Sequence, residues 1–260
     1  MIGWVLLAAA SAATPAELRD AITEFNAGAV FSLPVLSEAQ LSELSSGRVV
    51  SMLTRGASVE TWRAIGLIVS PSSQRAVWLS CQDLHFSNAE RVIEHRVAGS
   101  AASDKASWYG HLDLPMPVSD RHWVVDVWNN HSLSQKTGGR MWEHPWRLNP
   151  DGISLMRPVV ERGEVAGLAL AAFDHAIYTP VNNGAWVAIT LPDGETLVAY
   201  HGATDIGGTV PGKMVAQFSV SGMQSMLERV SSRAAEVPAH YRSGHAPVLG
   251  GDGQRIPTYP

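Results

Sequence analysis

Cysteine is almost absent from this 260-residue sequence, which contains Cys81 alone. A single thiol excludes an internal disulfide framework and a zinc site made of several thiolates. Cys81 ends the apolar stretch AVWLSC, which starts at Ala76. We interpret it as a small buried hydrophobe in preference to a catalytic thiol, because buried cysteines are usually unreactive packing residues.

A strong charge of either sign is also missing. The sequence has 19 basic and 24 acidic residues, which give a formal net charge of -5. Nucleic-acid-binding domains normally carry a basic patch or stripe, so we expect no nucleic-acid partner. A hydrophobic content of 45% is typical of a folded globule. No linker divides the middle of the chain, which favours one large domain.

Hydrophobic runs are short. The apolar run from Ile2 to Ala10 is too brief to span a bilayer, which needs about 20 residues. Ala10-Ser11-Ala12 fits an A-x-A cleavage pattern, so we predict a signal peptide over residues 1–12 and a secreted or periplasmic protein. The usual basic n-region is absent apart from the terminal amine. A buried N-terminal helix or a misassigned start codon are the alternatives.

Sequence motifs for metals, nucleophiles and phosphates are lacking. The ten histidines are scattered without an H-E-x-x-H or similar spacing. A metal site would require antiparallel strands to bring His95, His111 and His122 together, so we expect no metal. No G-x-S-x-G elbow or Walker loop is present. We therefore expect no cofactor, and we assign Gly207 and Gly208 to a turn with positive φ.

Short helices are predicted first, then strands that one helix interrupts, and finally a long helix. A first helix spans residues 15–25, and a second begins at Ser37 with Gln40 in the capping-box position. A third is predicted to begin at Ser70 with Pro71 inside its first turn. Strands are predicted over residues 48–54, 61–69, 91–97, 106–114, 121–128, 140–146, 185–191 and 196–201.

Turn residues refine this order. Asp193-Gly194 predicts a tight hairpin between the last two strands, and the 121–128 and 140–146 strands are expected to pair around a polar loop, 129–139. Pro145 is expected at a sheet edge or a strand end, since proline cannot donate to a ladder. Residues 148–180 are hard to interpret, and 164–173 fits either a helix or a buried strand.

The last predicted element is a long helix from Pro211 to Val237, ~40 Å in length. Its apolar face repeats at spacings of three and four, through Val215, Phe218, Gly222, Met223, Met226, Leu227, Val230 and Ala234. The predicted fold is α+β, a curved antiparallel sheet around one long helix with space between them. Residues 13–40 form an N-terminal helical segment, 41–237 the main domain, and 238–260 a tail expected to be disordered.

Three segments carry a family resemblance: Pro115–Trp128, Asn182–His201 and Thr204–Val215, the last with an Asp-x-Gly-Gly-x-x-Pro turn. They resemble the steroidogenic-acute-regulatory-protein-related lipid-transfer (START) domain of the START-like/SRPBCC superfamily, over residues 41–237. The resemblance implies a helix-grip fold whose tunnel holds one hydrophobic molecule, often a sterol or phospholipid. It also implies lipid transport or sensing without covalent chemistry, by a monomer in transient membrane contact.

The resemblance and the strand pattern together predict ligand-binding residues on the inner strands and the terminal helix. They are Trp108, Arg121, Trp123, Val125, Val127, Trp142, Trp186, Met214, Phe218, Met223 and Met226. Core packing is the alternative for each tryptophan, and an ion pair with Asp120 or a loop carboxylate is the alternative for Arg121. The Asp205–Pro211 turn would be a hinge, and the three methionines would contact a lipid or the sheet beneath.

Some positions depart from the family pattern. Sterol-binding members place a basic and an acidic residue in the tunnel, where this sequence has Val127 and Trp108. Another residue would have to anchor a sterol hydroxyl.

Two other functions remain open. A polyketide aromatase/cyclase-like enzyme would use Tyr109, His111, Asp126 or His144 as acid–base groups, converging deep in a pocket. A membrane-docking module would have no cavity.

Overall fold

The computed structural model of the chain describes residues 13–55, 62–82, 92–100, 102–114, 118–208, 212–242 and 247–259. The predicted signal peptide and Pro211 lie outside these ranges. So do the side chains of Val215, Ala216 and Phe218, although their backbone is part of a described helix. No described helix is long and apolar enough to cross a membrane.

A nine-stranded, mostly antiparallel sheet forms the centre of the fold. Its strands are β1 Val50–Arg55, β2 Trp62–Ser70, β3 Val92–Ala98, β4 Lys105–Leu112, β5 Arg121–Trp128, β6 Met141–Leu148, β7 Ile177–Tyr178, β8 Val181–Thr190 and β9 Thr196–Asp205. Their order across the sheet is β1-β2-β9-β8-β6-β5-β4-β3, and β7 lies parallel to β5. Sequence-adjacent strands pair throughout the β3–β4–β5–β6 meander, as expected for antiparallel connections.

Helices cover both faces of this sheet. They are α1 Pro15–Asn26, α2 Glu38–Ser45, α3 Gln74–Gln82, α4 His131–Lys136, α5 Gly152–Glu161, α6 Leu170–His175, α7 Gly212–Ala234 and α8 Val237–His240. One face carries α3 and α7, and we call it the inner face. The opposite, outer face carries α1 and α2 over one half, and α5 and α6 over the other.

The long helix α7 lies directly on β2. Met223, Leu227, Val230 and Ala234 are its fully buried described side chains. Gly66 of β2 makes this close approach possible, because a Cβ there would lie 2.1 Å from Cγ of Met223. The position therefore requires glycine for steric reasons.

The predicted starts of the first two helices and the predicted hairpin are confirmed. Ser37 caps α2, and its hydroxyl and the Gln40 side chain form a reciprocal capping box. The β8–β9 turn closes with the Leu191 N–H donating to the Glu195 carbonyl at 2.9 Å. Gly194 in this turn has φ of 90°, a conformation that favours glycine.

Two local predictions are wrong. The third helix begins at Gln74, because β2 continues to pair with β9 as far as Ser70 and Thr196. Pro145 is not at a sheet edge, since β6 lies between β8 and β5. The β5–β6 register includes Trp146 but not Pro145, so the missing proline N–H costs no bond in that ladder.

The expectation of a disordered tail is wrong for residues 247–259. Leu249 and Arg255 form a β-bridge, and the Trp78 indole N–H donates to the Leu249 carbonyl at 3.0 Å. A Cβ on Gly251 would lie 2.5 Å from Cβ of Trp142. The glycines that suggested disorder instead allow the backbone to pack against an indole.

Candidate functional site

Two adjoining cavities lie on the inner face, over β4, β5 and β6. The first, the aromatic cavity, has a volume of about 290 Å³. Its wall contains five large aromatic side chains, Trp108, Trp123, Trp146, Trp186 and Tyr200. The second, the polar cavity, has a volume of about 480 Å³ and is lined in part by Glu94, Arg96 and Asp104.

The two cavities share part of their walls. Gln82, Glu94, Trp108, Val127 and His144 line both. Residues 248 and 249 of the C-terminal segment close one side of the polar cavity. The arrangement offers an apolar space that continues into a charged one.

Strand alternation explains why the tryptophans gather here. Trp123, Val125 and Val127 alternate along β5 and point to the inner face, where all three line the aromatic cavity. Gly110 on β4 leaves room for the Trp123 indole, since a Cβ there would lie 2.5 Å from the ring.

The predicted residues fall into two groups. Five of them line the aromatic cavity: Trp108, Trp123, Val125, Val127 and Trp186. The other predicted residues whose side chains are described lie outside this cavity. Trp142 is buried between Trp78, whose ring centroid is 5.2 Å away, and the C-terminal glycines.

The methionines of α7 do not form the cavity wall among the described residues. Met214 is 59% exposed, so its side chain does not pack on the sheet beneath, and its contact with a ligand stays a prediction. Met223 packs over Gly66, and Met226 packs against the core between α7 and the sheet. The helix lies beside the cavity because Gly66 lets it settle directly on β2.

Arg121 has a structural environment. Its side chain is buried, and its guanidinium donates to the carbonyls of Ser119, Ile206 and Gly207. The Asp120 carboxylate instead accepts from His111 and from the Leu114 N–H. Arg121 therefore fixes the start of β5 to the turn after β9, and its guanidinium bonds to carbonyl oxygens and not to the Asp120 carboxylate, the alternative partner.

The hypothetical acid–base groups are divided between the two faces. The Tyr109 hydroxyl lies 3.3 Å from Nδ1 of both His111 and His122, beneath Phe173 on the outer face. Asp126 accepts from the Ser107 hydroxyl at 2.6 Å. Of the four proposed groups, His144 lies at the wall shared by both cavities, whereas the Tyr109 hydroxyl points away towards His111 and His122.

His144 was proposed only as an enzyme residue, and its partners were not predicted. The Nδ1 atom of His144 lies 2.8 Å from Oδ1 of Asn129. The Nδ2 atom of Asn129 in turn donates to the Gly250 carbonyl at 3.2 Å. Burial lowers the pKa of His144 to about 4. Trp146 and Tyr200 were also missed, although alternation places Trp146 on the same face as His144.

The described residues contain no group of three His, Cys, Asp or Glu side chains that could hold a metal ion. Antiparallel pairing does bring His111 and His122 into register, with ring centroids 6.3 Å apart. Both rings lie on the outer face in contact with Tyr109.

Comparisons with known proteins address the fold. No protein-family model and no curated protein matches the sequence. The structure is similar to a STAR-related lipid transfer protein fragment from Xanthomonas axonopodis, with a TM-score of 0.50 and 16% identity over 72% of this chain and 93% of that one. This likeness and the sheet–helix arrangement confirm the predicted START-like helix-grip fold.

Two further solved structures align over much of the chain. Human STARD10 gives a TM-score of 0.49 at 10% identity, covering 82% of this chain and 85% of its own. The Zhui aromatase/cyclase from Streptomyces sp. R1128 gives 0.40 at 12% identity, covering 67% and 93%. The fold assignment rests on the Xanthomonas structure.

Proposed function

We propose that the protein binds one hydrophobic molecule, a lipid, in the aromatic cavity, and that it transports or senses this molecule without covalent chemistry. The observation that carries the proposal is the aromatic wall of that cavity, which the described side chains leave unfilled. Large aromatic side chains provide extensive apolar contact area for such a ligand. The Xanthomonas protein with a similar fold is named a lipid transfer protein, which agrees with this role.

Burial of apolar surface would drive this binding. A ligand that loses about 400 Å² of apolar surface would gain roughly 10 kcal/mol before the costs of immobilisation. We include export from the cytoplasm, a monomeric state and transient contact with a membrane in this proposal.

An aromatase/cyclase-like enzyme on the same fold is the second candidate. His144 favours it, because a neutral imidazole in a cavity is a possible general base. Tyr109, His111 and Asp126 lie on the other face of the sheet, which leaves His144 without those three partners. For this reason we prefer a binding role.

The proposal is tested with the protein purified from its own host. Native mass spectrometry followed by lipid extraction should reveal one apolar molecule per chain. In parallel, 1-methylpyrene should bind the emptied protein and be detected by energy transfer from tryptophan. A protein that carries no apolar molecule and does not bind 1-methylpyrene would contradict the proposal.

A cavity-filling variant locates the binding. Val125→Trp should lower the affinity for 1-methylpyrene at least about tenfold, because the added indole occupies the space of the ligand. Val35→Trp is the matched control, since Val35 is 94% exposed. Circular dichroism verifies that both variants fold. Unchanged affinity in a folded Val125→Trp variant would place the binding elsewhere.

A further inference from the structure

A chain of hydrogen bonds fixes the orientation of His144 at the wall shared by the two cavities. Asn129 uses its amide nitrogen to donate to the Gly250 carbonyl at 3.2 Å. Its amide oxygen therefore faces His144 Nδ1, 2.8 Å away. Because an amide oxygen can only accept, Nδ1 of His144 must carry the proton.

This assignment determines the chemistry of the other ring nitrogen. A neutral imidazole has one N–H and one acceptor nitrogen. Burial lowers the pKa of His144 to about 4, so the ring is neutral at pH 7. Its Nε2 is then an acceptor, since the hydrogen bond described for His144 uses Nδ1 alone.

Gln82 supplies the complementary group. It lines both cavities, as His144 does. Its side-chain Nε2 is buried and has no partner among the described residues. An unsatisfied buried donor destabilises the protein, so a ligand atom that accepts from it would be favoured.

We propose that the cavity selects a neutral apolar molecule that carries a hydroxyl group, held between His144 Nε2 and Gln82 Nε2. A hydroxyl can donate to the first and accept from the second. A ketone or ester only accepts, and a quaternary ammonium group does neither. A carboxylate would place lone pairs against the lone pair of Nε2. This inference rests on the proposed function and specifies its ligand.

The test uses three probes that differ at one carbon: 1-pyrenemethanol, 1-methylpyrene and 1-pyrenecarboxylate. Their dissociation constants are measured by energy transfer from tryptophan at pH 7.5. We expect 1-pyrenemethanol to bind about tenfold more tightly than 1-methylpyrene, as one to two satisfied hydrogen bonds would give. The carboxylate should bind more weakly than the alcohol.

Two variants assign this preference to the named residues. His144→Phe keeps a ring but removes the acceptor, and Gln82→Met removes the donor without changing the His144–Asn129 pair. Each should reduce the alcohol-to-methyl affinity ratio, to about twofold or less for His144→Phe. Val35→Ser, at an exposed position, should retain the ratio.

The outcomes separate the two proposals. Equal binding of alcohol and methyl probes would overturn this inference and leave the proposed function intact. Tightest binding of the carboxylate would also overturn it and would point to Arg96 in the polar cavity. A preference that persists in both folded variants would exclude these residues. Failure of all three probes to bind would overturn this inference, and it would also overturn the proposed function if the purified protein carries no apolar molecule.

Discussion

The inner face of the sheet has two halves of similar composition and opposite packing. Over β2 and β9, side chains from α3 and α7 fill the space against Ala64, Ile68 and Val198. Over β4, β5 and β6, large apolar side chains such as Trp123, Val125 and Trp146 border a cavity. We call these regions the filled half and the open half. The comparison shows that apolarity alone does not decide which surface becomes core. The position of the covering helix α7 decides which surface becomes core, and Gly66 sets that position.

Shortening a side chain should affect the two halves differently. Leu227→Ala, in the filled half, should reduce the free energy of unfolding by about 3 kcal/mol, because it creates a cavity in a close-packed region. Val125→Ala, in the open half, should cost about 1 kcal/mol, since its side chain already borders empty space. Urea denaturation measures both. Equal losses would mean that the two halves are packed alike.

Adding a side chain where α7 contacts β2 should disrupt the packing that distinguishes the filled half from the open half. Gly66→Val should cost about 2 kcal/mol, because its Cβ would meet Cγ of Met223 at 2.1 Å and Cδ1 of Leu227 at 2.8 Å. Gly222→Ala is the matched control, because nothing lies within 4 Å of the added Cβ. Denaturation should show this control to be neutral or slightly stabilised. A stable Gly66→Val protein would refute the steric requirement.

Acidification should destabilise both faces of the sheet. Burial lowers the pKa of His122 and His144 to about 4 and that of His201 to about 3. The folded state therefore resists protonation that the unfolded chain accepts. The contribution of these neutral rings to the free energy of unfolding is complete above about pH 6.5. It is lost as the pH falls towards 4, at about 1 kcal/mol per pH unit for each ring.

This pH effect is measured by urea denaturation at pH 7.5 and 5.5. The His144→Phe variant should show about one third less pH dependence, since it removes one of the three rings. An unchanged pH dependence in this variant would show that the open half does not contribute to acid sensitivity.

The smallest effect is expected at Met214. Its side chain is 59% exposed, so Met214→Ser should change the free energy of unfolding by less than about 0.5 kcal/mol. The affinity for 1-methylpyrene should also stay the same. A large loss of affinity would show that Met214 contacts the ligand and that the open half extends to the start of α7.

The sequence predicted the sheet, the long helix and the inner side of β5, because these depend on periodicity. Alternation was enough to place Trp123, Val125 and Val127 on one face. It could not show that Trp142 faces the same way as His144 and yet is covered. That outcome depends on a contact with Trp78 and on residues 250 and 251, which are distant in the sequence.

Long-range contacts explain the other errors as well. Arg121 is fixed by carbonyls of Ile206 and Gly207, which no local pattern near residue 121 can indicate. The Asn129–His144 bond joins the two sides of the β5–β6 connection, and its orientation depends on the C-terminal segment. These polar contacts follow from tertiary packing, so only the structure shows them.

Cys81, the one thiol of the chain, lines the aromatic cavity. A mercury compound diffused into crystals would therefore attach a single heavy atom to each molecule without any engineered substitution. Its anomalous signal would mark the cavity wall in electron-density maps. A prior occupant would keep the metal out, so that the same soak would distinguish loaded from empty crystals.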